Sequence, residues 1–185
     1  MPAKIWKNED MAKLCTYKGY EILVGDFGTL YPNTYLNDAI IDFYLYHLIE
    51  NKCNDIVKQK VYIFSSLFYG KLKGMFRYIG VNQADNNCSN KQPETLYNNL
   101  KRWTQSFSIF DKDILIFPIC EKEHWTTLIV VNPSKPRFIA LDSLVHAKSQ
   151  RYTNEHALKV VSYLEIIKQR KVQHHYQKVK SQQIR

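Results

Sequence analysis

Hydrophobic and polar positions alternate most clearly in the second half of the chain. Ile114-Leu115-Ile116-Phe117-Pro118-Ile119, Thr126-Thr127-Leu128-Ile129-Val130-Val131 and Arg137-Phe138-Ile139-Ala140-Leu141-Asp142 are short apolar or β-branched runs of strand length. Asn132-Pro133-Ser134-Lys135-Pro136 separates the last two and predicts a hairpin loop. In the first half, Leu36 to Ile49 is apolar around most of a helical circumference, which predicts a helix buried inside the domain. Asn37 is its expected N-cap, and Asp38 suits the positive end of its dipole. Val61 to Leu72, holding Ile63-Phe64-Ser65-Ser66-Leu67-Phe68-Tyr69, predicts a second packed helix, and Glu94 to Trp103 a third. Asn154 to Lys171 carries Ala157, Val160, Val161, Leu164 and Ile167 on one stripe and predicts an amphipathic helix. Glu21-Ile22-Leu23-Val24 is a short strand candidate, and Asp26 to Leu30 reads as a turn and a second short segment. Tyr31-Pro32-Asn33-Thr34 and residues 80–93 read as loops. Residues 1–20 predict no element. Helices first, then a short antiparallel sheet, then a helix make the expected class α+β, in a single domain over 1–185 without internal repeats.

Composition narrows the class without naming a function. The 185 residues are 45% hydrophobic and 23% charged, which is globular rather than disordered. No apolar stretch approaches the ~18 residues a membrane span needs, so no membrane partner is expected. No basic-apolar-small leader opens the chain. Cys15, Cys53, Cys88 and Cys120 form no CxxC knuckle and read as free thiols. No HExxH occurs, and His174-His175 are adjacent, which aims their rings apart; neither metal nor other cofactor is expected. The net charge of +9 is uneven. After Glu165 there are six bases (Lys168, Arg170, Lys171, Lys178, Lys180, Arg185) and no acid, leaving 20 − 17 = +3 for the body. The segment 168–185 therefore reads as a basic tail, most simply a solvated helix end. A nucleic-acid or acidic-protein partner is a minor alternative, with no binding fingerprint behind it.

One juxtaposition carries chemistry. If the hairpin turns near Pro133-Ser134, facing residues have numbers summing to about 267. His124 and Asp142 then meet at one sheet edge, although a one-residue change of register decides whether they share a face. A carboxylate that orients an imidazole fixes its tautomer and stabilises the imidazolium, so the His can activate a nucleophile. A structural His–Asp contact is the alternative reading of the pair.

Five motifs, in order, resemble a known family. Tyr35-Leu36-Asn37-Asp38-Ala39-Ile40-Ile41-Asp42-Phe43-Tyr44-Leu45 resembles the "LND-x-IIxFY" helix start of the Ulp/SENP SUMO-specific cysteine proteases. Ile63-Phe64-Ser65-Ser66-Leu67-Phe68-Tyr69 is similar to the "FSSFFY" segment of the branch that edits poly-SUMO chains. Arg102-Trp103-Thr104 with Ile109-Phe110-Asp111-Lys112-Asp113, then His124-Trp125, then Leu141-Asp142-Ser143-Leu144 complete the set. The resemblance runs from about Tyr20 to about Ile167. It implies a papain/adenain-like α+β fold and a SUMO or other ubiquitin-like partner. It also implies cleavage after Gly-Gly, and residence in the nucleus first and the cytoplasm second. By position it makes His124 the general base and Asp142 its orienter. Tyr35 and Trp125 become walls of a tunnel too narrow for any Cβ, and Asp38 a pairing site for a basic residue of the partner.

The nucleophile motif is where the chain departs from this pattern. Ser181-Gln182-Gln183 lies some forty residues after Asp142, where the family's oxyanion Gln is expected, which makes Gln183 the candidate. The chain then ends at Arg185 with no Asp-Cys-Gly. Three readings stay open: a truncated active protease, in which an uncovered apolar face is expected; a catalytically dead relative that binds a ubiquitin-like modifier; or takeover by another residue. Cys120, four residues before His124, is the local candidate for takeover, against the plainer reading of a small, partly buried hydrophobe. Truncation is the expected one of the three.

Overall fold

The computed structural model describes residues 8–17, 19–78, 92–144 and 149–183. A short antiparallel ribbon, β1 (Lys13–Tyr17) with β2 (Tyr20–Leu23), leads into the one-turn helix α1 (Val24–Phe27). Three helices and a strand follow: α2 (Asp38–Lys52), α3 (Asp55–Lys60), β3 (Val61–Ile63) and α4 (Ser66–Tyr78). After α5 (Gln92–Leu100) come the strands β4 (Ile114–Glu121), β5 (His124–Val131) and β6 (Arg137–Asp142), and then α6 (Ser149–Gln183). The main sheet has the order β3-β4-β5-β6, with β3 parallel to β4 and the rest antiparallel. The class is α+β.

The core sits on one face of this sheet. Leu115, Phe117 and Ile119 of β4 and Leu128 and Val130 of β5 are at most 1% exposed, and the period-2 alternation places them all on the same side. Phe68 and Leu72 of α4 and Val160, Tyr163 and Leu164 of α6 pack onto them. Aromatic rings fill the centre: Phe64 stacks on Phe117 at 4.3 Å between centroids, and Phe68 meets Tyr163 edge-on at 5.0 Å. The opposite face is less covered, and Ile139 and Leu141 of β6 and Tyr44 of α2 are about half exposed.

Four expectations change. The segment Val61–Leu72 is not one helix: Val61–Ile63 is a strand paired with Ile114–Ile116, and the helix begins at Ser66. An apolar run that short suits either element, and hydrogen bonding to β4 decides it. Helix α2 is not buried all round. Only Ile40 is buried, because one side of the helix flanks an open apolar groove shared with the β1–β2 ribbon. The loop expected over 80–93 falls largely on residues outside the described ones, and Gln92 and Pro93 already belong to α5, where proline is tolerated in the first turn. The helix expected over Asn154–Lys171 is longer, Ser149–Gln183, and takes in the basic segment as the helix end it was read as. Lys171 lies over the Phe110 ring and Arg170 over Tyr97, so aliphatic stems and cation–π contacts hold this part of the helix down.

Phe68 is fully buried and meets Phe64, Trp103, Phe117 and Tyr163. Phe68→Ala is expected to lower unfolding stability by about 3–5 kcal/mol in a denaturant titration, while an exposed-site control, Tyr44→Ala, changes it far less.

Candidate active site

The site is assembled by the β5–β6 register. Partners along this ladder have numbers summing to 268, as in Thr126↔Asp142 and Val131↔Arg137, one more than expected. The difference decides the chemistry. An even sum puts even-numbered residues of both strands on one face, so His124, two residues before Thr126, shares a face with Asp142. An odd sum would have separated them. The even register is set by the loop 132–136, where Asn132 takes a left-handed φ of 54° and its carbonyl accepts from Lys135 N–H at 2.9 Å.

His124 Nε2 stands 2.6 Å from Asp142 Oδ1. The same oxygen accepts the Leu144 backbone N–H at 2.9 Å, which fixes the carboxylate. With Nε2–H donated to Asp142, Nδ1 carries the free lone pair and is the nitrogen left to take a proton. Both side chains are largely buried yet open on one side, at 28% and 18% exposure.

His124 owes its place to a two-residue turn. Glu121 and His124 are ladder partners, so only Lys122 and Glu123 join β4 to β5. Both have left-handed φ, 52° and 62°. Such turns ordinarily use Asn-Gly, and a left-handed conformation costs an ordinary L-residue on the order of 1–2 kcal/mol. Nothing in the sequence signalled this turn, because neither residue is a turn former.

Trp125 lies on the opposite face. Its Nε1–H donates to the Leu36 carbonyl at 2.9 Å, which ties the strand to the segment before α2. Tyr35, next to Leu36, is 53% exposed at this junction. Asp38 lines a groove of about 720 Å³ with Leu36, Leu67, Trp103, Cys120 and Trp125, and has no ion-pair partner among the described residues. Thus Trp125 and Asp38 line one groove, Tyr35 is exposed beside Leu36 without lining it, and His124 and Asp142 meet on the other face of the sheet. Gln183 lies in the last turn of α6, its side chain outside the described ones.

Two residues that the sequence did not single out hold the Tyr35–Asp38 segment and its helix in place. Asn37 caps α2 through Oδ1, which accepts Ile40 N–H at 3.1 Å, while its amide donates to Asp26 Oδ1 at 2.7 Å. The other oxygen of buried Asp26 accepts Leu23 N–H at 2.8 Å. Asp26 therefore latches the entry to α2 onto the end of β2. Asp42, inside α2, accepts Ser66 N–H at 2.8 Å and Ser65 Oγ–H at 2.6 Å, capping α4 from a neighbouring helix.

Cys120 does not replace a nucleophile in this arrangement. It is the ladder partner of Trp125, on the face away from His124. Burial pushes its thiol pKa up, and the charges of Asp38, Glu121 and Glu123 push it further, so the thiolate is disfavoured. Cys15 lies in β1 and Cys53 at the end of α2; Cys88 is outside the described residues. Among the described residues no group of three or more His, Cys, Asp or Glu could hold a metal ion, and no helix is long and apolar enough to cross a membrane.

Comparison with known proteins follows the same lines. The family described as "Ulp1 protease family, C-terminal catalytic domain" matches residues 34–185, and the chain belongs to this family. Mouse sentrin-specific protease 6 is 34% identical over 122 residues, which cover 65% of this chain and 10% of that protein. Human sentrin-specific protease 7 is 31% identical over 118 residues, covering 64% and 11%. The chain thus spans about a tenth of the length of these relatives. Among solved structures, the SUMO protease Ulp1 with its catalytic cysteine oxidised to a sulfinic acid superposes with a TM-score of 0.55 at 26% identity, over 83% of this chain and 59% of that one. A de-sumoylating protease superposes with 0.51 at 26% identity, over 75% and 51%.

Behind the end of β4, His156 of α6 is buried 3.5 Å from Glu121 Oε2, and burial holds its imidazole below its ordinary value of 6.5 despite that carboxylate. The folded state thus favours the neutral ring. The associated stability is present above about pH 6.5 and is lost as pH falls through the lower folded value. Unfolding midpoints in urea are expected to drop between pH 7 and pH 5, and His156→Gln to flatten that slope.

Proposed function

We propose that this chain is the catalytic-domain portion of a cysteine peptidase that cleaves after the Gly-Gly tail of SUMO or another ubiquitin-like protein. The observation that carries the reading is the His124–Asp142 pair at 2.6 Å, placed next to the Trp125–Leu36 junction. In this reading a cysteine thiol gives its proton to His124 Nδ1, and Asp142 stabilises the imidazolium that forms. The thiolate attacks the carbonyl of the terminal glycine, the imidazolium returns the proton to the leaving amine, and water then hydrolyses the thioester. Tyr35 and Trp125 wall the path of the tail, where backbone passes and a Cβ does not. Asp38 pairs with a basic residue of the modifier. Gln183 is assigned to the oxyanion on family likeness alone, and so is residence in the nucleus.

The alternative reading is a binding module for the same modifier; Cys120 facing away from His124 is common to both readings.

The full gene product is expected to turn over a SUMO-tail fluorogenic substrate, with Asp142→Asn lowering kcat by about 10²–10⁴-fold and leaving KM nearly unchanged. The 185-residue chain is expected to bind the tail, and Trp125→Ala to weaken that binding at least about tenfold. Binding without turnover by the full gene product selects the binding module; neither binding nor turnover discards both readings.

A further inference from the structure

Glu121 and His124 are cross-strand partners at the very end of the β4–β5 ladder, joined by two left-handed residues that nothing in the turn itself favours. What steadies this end of the hairpin comes from outside it. Glu121 Oε1 accepts a hydrogen bond from Lys73 Nζ on α4, and Oε2 stands 3.5 Å from His156 Nε2 on α6, within ion-pair range. The side chains of Lys73 and Glu121 are only 25% and 20% exposed, and the Tyr69 ring closes the cluster edge-on against His156 at 4.9 Å. Burial pushes the Glu121 carboxyl up, but the hydrogen bond and charge of Lys73, with His156 behind them, bring it below the ordinary range, so it is ionised at neutral pH. The lysine ammonium then donates to a carboxylate, a charge-assisted hydrogen bond. None of these four residues lines the groove that holds Trp125 and Asp38.

We propose that Lys73 and Glu121 are positioning residues: their half-buried ion pair ties the β4–β5 turn to α4 and thereby sets the ring of His124 against Asp142. The inference rests on the peptidase reading of His124. Neither residue touches the reacting atoms. Among the described residues, the charged and titratable groups around His124 are Asp142 from β6, Glu121 from β4 and Lys122 and Glu123 in the turn. Lys73 of α4 and His156 of α6 lie one layer behind.

The test is ring ¹⁵N NMR of His124 in the 185-residue chain, with Glu121→Gln, Lys73→Met and Lys73→Arg compared with wild type. Wild type is expected to show one neutral tautomer, protonated on Nε2. Glu121→Gln and Lys73→Met are both expected to lose that single-tautomer signature, and Lys73→Arg to keep it. Charge alone acts in opposite senses in the two variants, since one removes an anion and the other a cation, and so cannot give both the same change. Tautomer mixing in both variants therefore marks positioning. An unchanged tautomer in folded Glu121→Gln and Lys73→Met would overturn the proposal. Should those variants unfold, the wild-type chain decides: the Glu121 ¹³Cδ resonance is expected to titrate below the ordinary glutamate range, and titration at or above that range overturns the tie. Absent tail turnover with the tautomer shift intact sinks the peptidase reading and keeps the tie. Turnover with unmoved tautomers sinks the tie alone.

Discussion

Register parity between β5 and β6 is the constraint on which the site depends. Side chains alternate across a sheet, so two residues on neighbouring strands either share a face or are separated by the sheet. The five residues 132–136, with Asn132 in a left-handed conformation, set an even sum and bring an imidazole and a carboxylate together. Much else follows from it. The core uses the same face, so His124 and Asp142 stand at the rim of a packed apolar layer, largely shielded yet open on one side. Trp125, one residue further along, must then face the other way, toward the entry of α2.

The other half of the site reaches the sheet through polar latches. The path from β2 to α2 runs through the one-turn helix α1 and then an irregular stretch before Asn37, so its conformation depends on specific contacts. Asp26 supplies one by gripping Leu23 N–H and the Asn37 amide, and Asn37 in turn caps α2. Asp42 links α2 to the start of α4, and Lys73 of α4 reaches the end of β4. A chain of buried or half-buried hydrogen bonds thus runs from the segment bearing Tyr35 to the turn bearing His124. Each carboxylate is cheap to keep in place because backbone N–H groups, side-chain donors or cations satisfy its oxygens.

Legibility in the sequence tracks how local each determinant is. The strands β4 to β6 were readable because short apolar runs are bounded by Pro, Asn and charged residues. Arg137–Asp142 matches the observed strand end to end. The Asn37 cap and the start of α2 were readable for the same reason. Val61–Ile63 was not, since its identity as a strand depends on Ile114–Ile116 some fifty residues away. The extent of α6 is harder to read because apolar residues after Lys171 are sparse, Val172, Tyr176 and Val179 among basic and polar ones. The His124–Asp142 meeting was legible as proximity, but its face was not, since a one-residue difference of register decides it. Asp26 looked like an ordinary turn residue, and the tight turn at Lys122-Glu123 left no signal.

Pairing of β3 with β4 also bears on the order in which this molecule is built. Val61 and Ile114 are far apart along the chain, with α4 and α5 between them, whereas β4, β5 and β6 close through two short turns. Closing the long connection loses more chain entropy before any contact compensates for it. The three-stranded meander is therefore expected to form early and the first strand of the sheet to dock late.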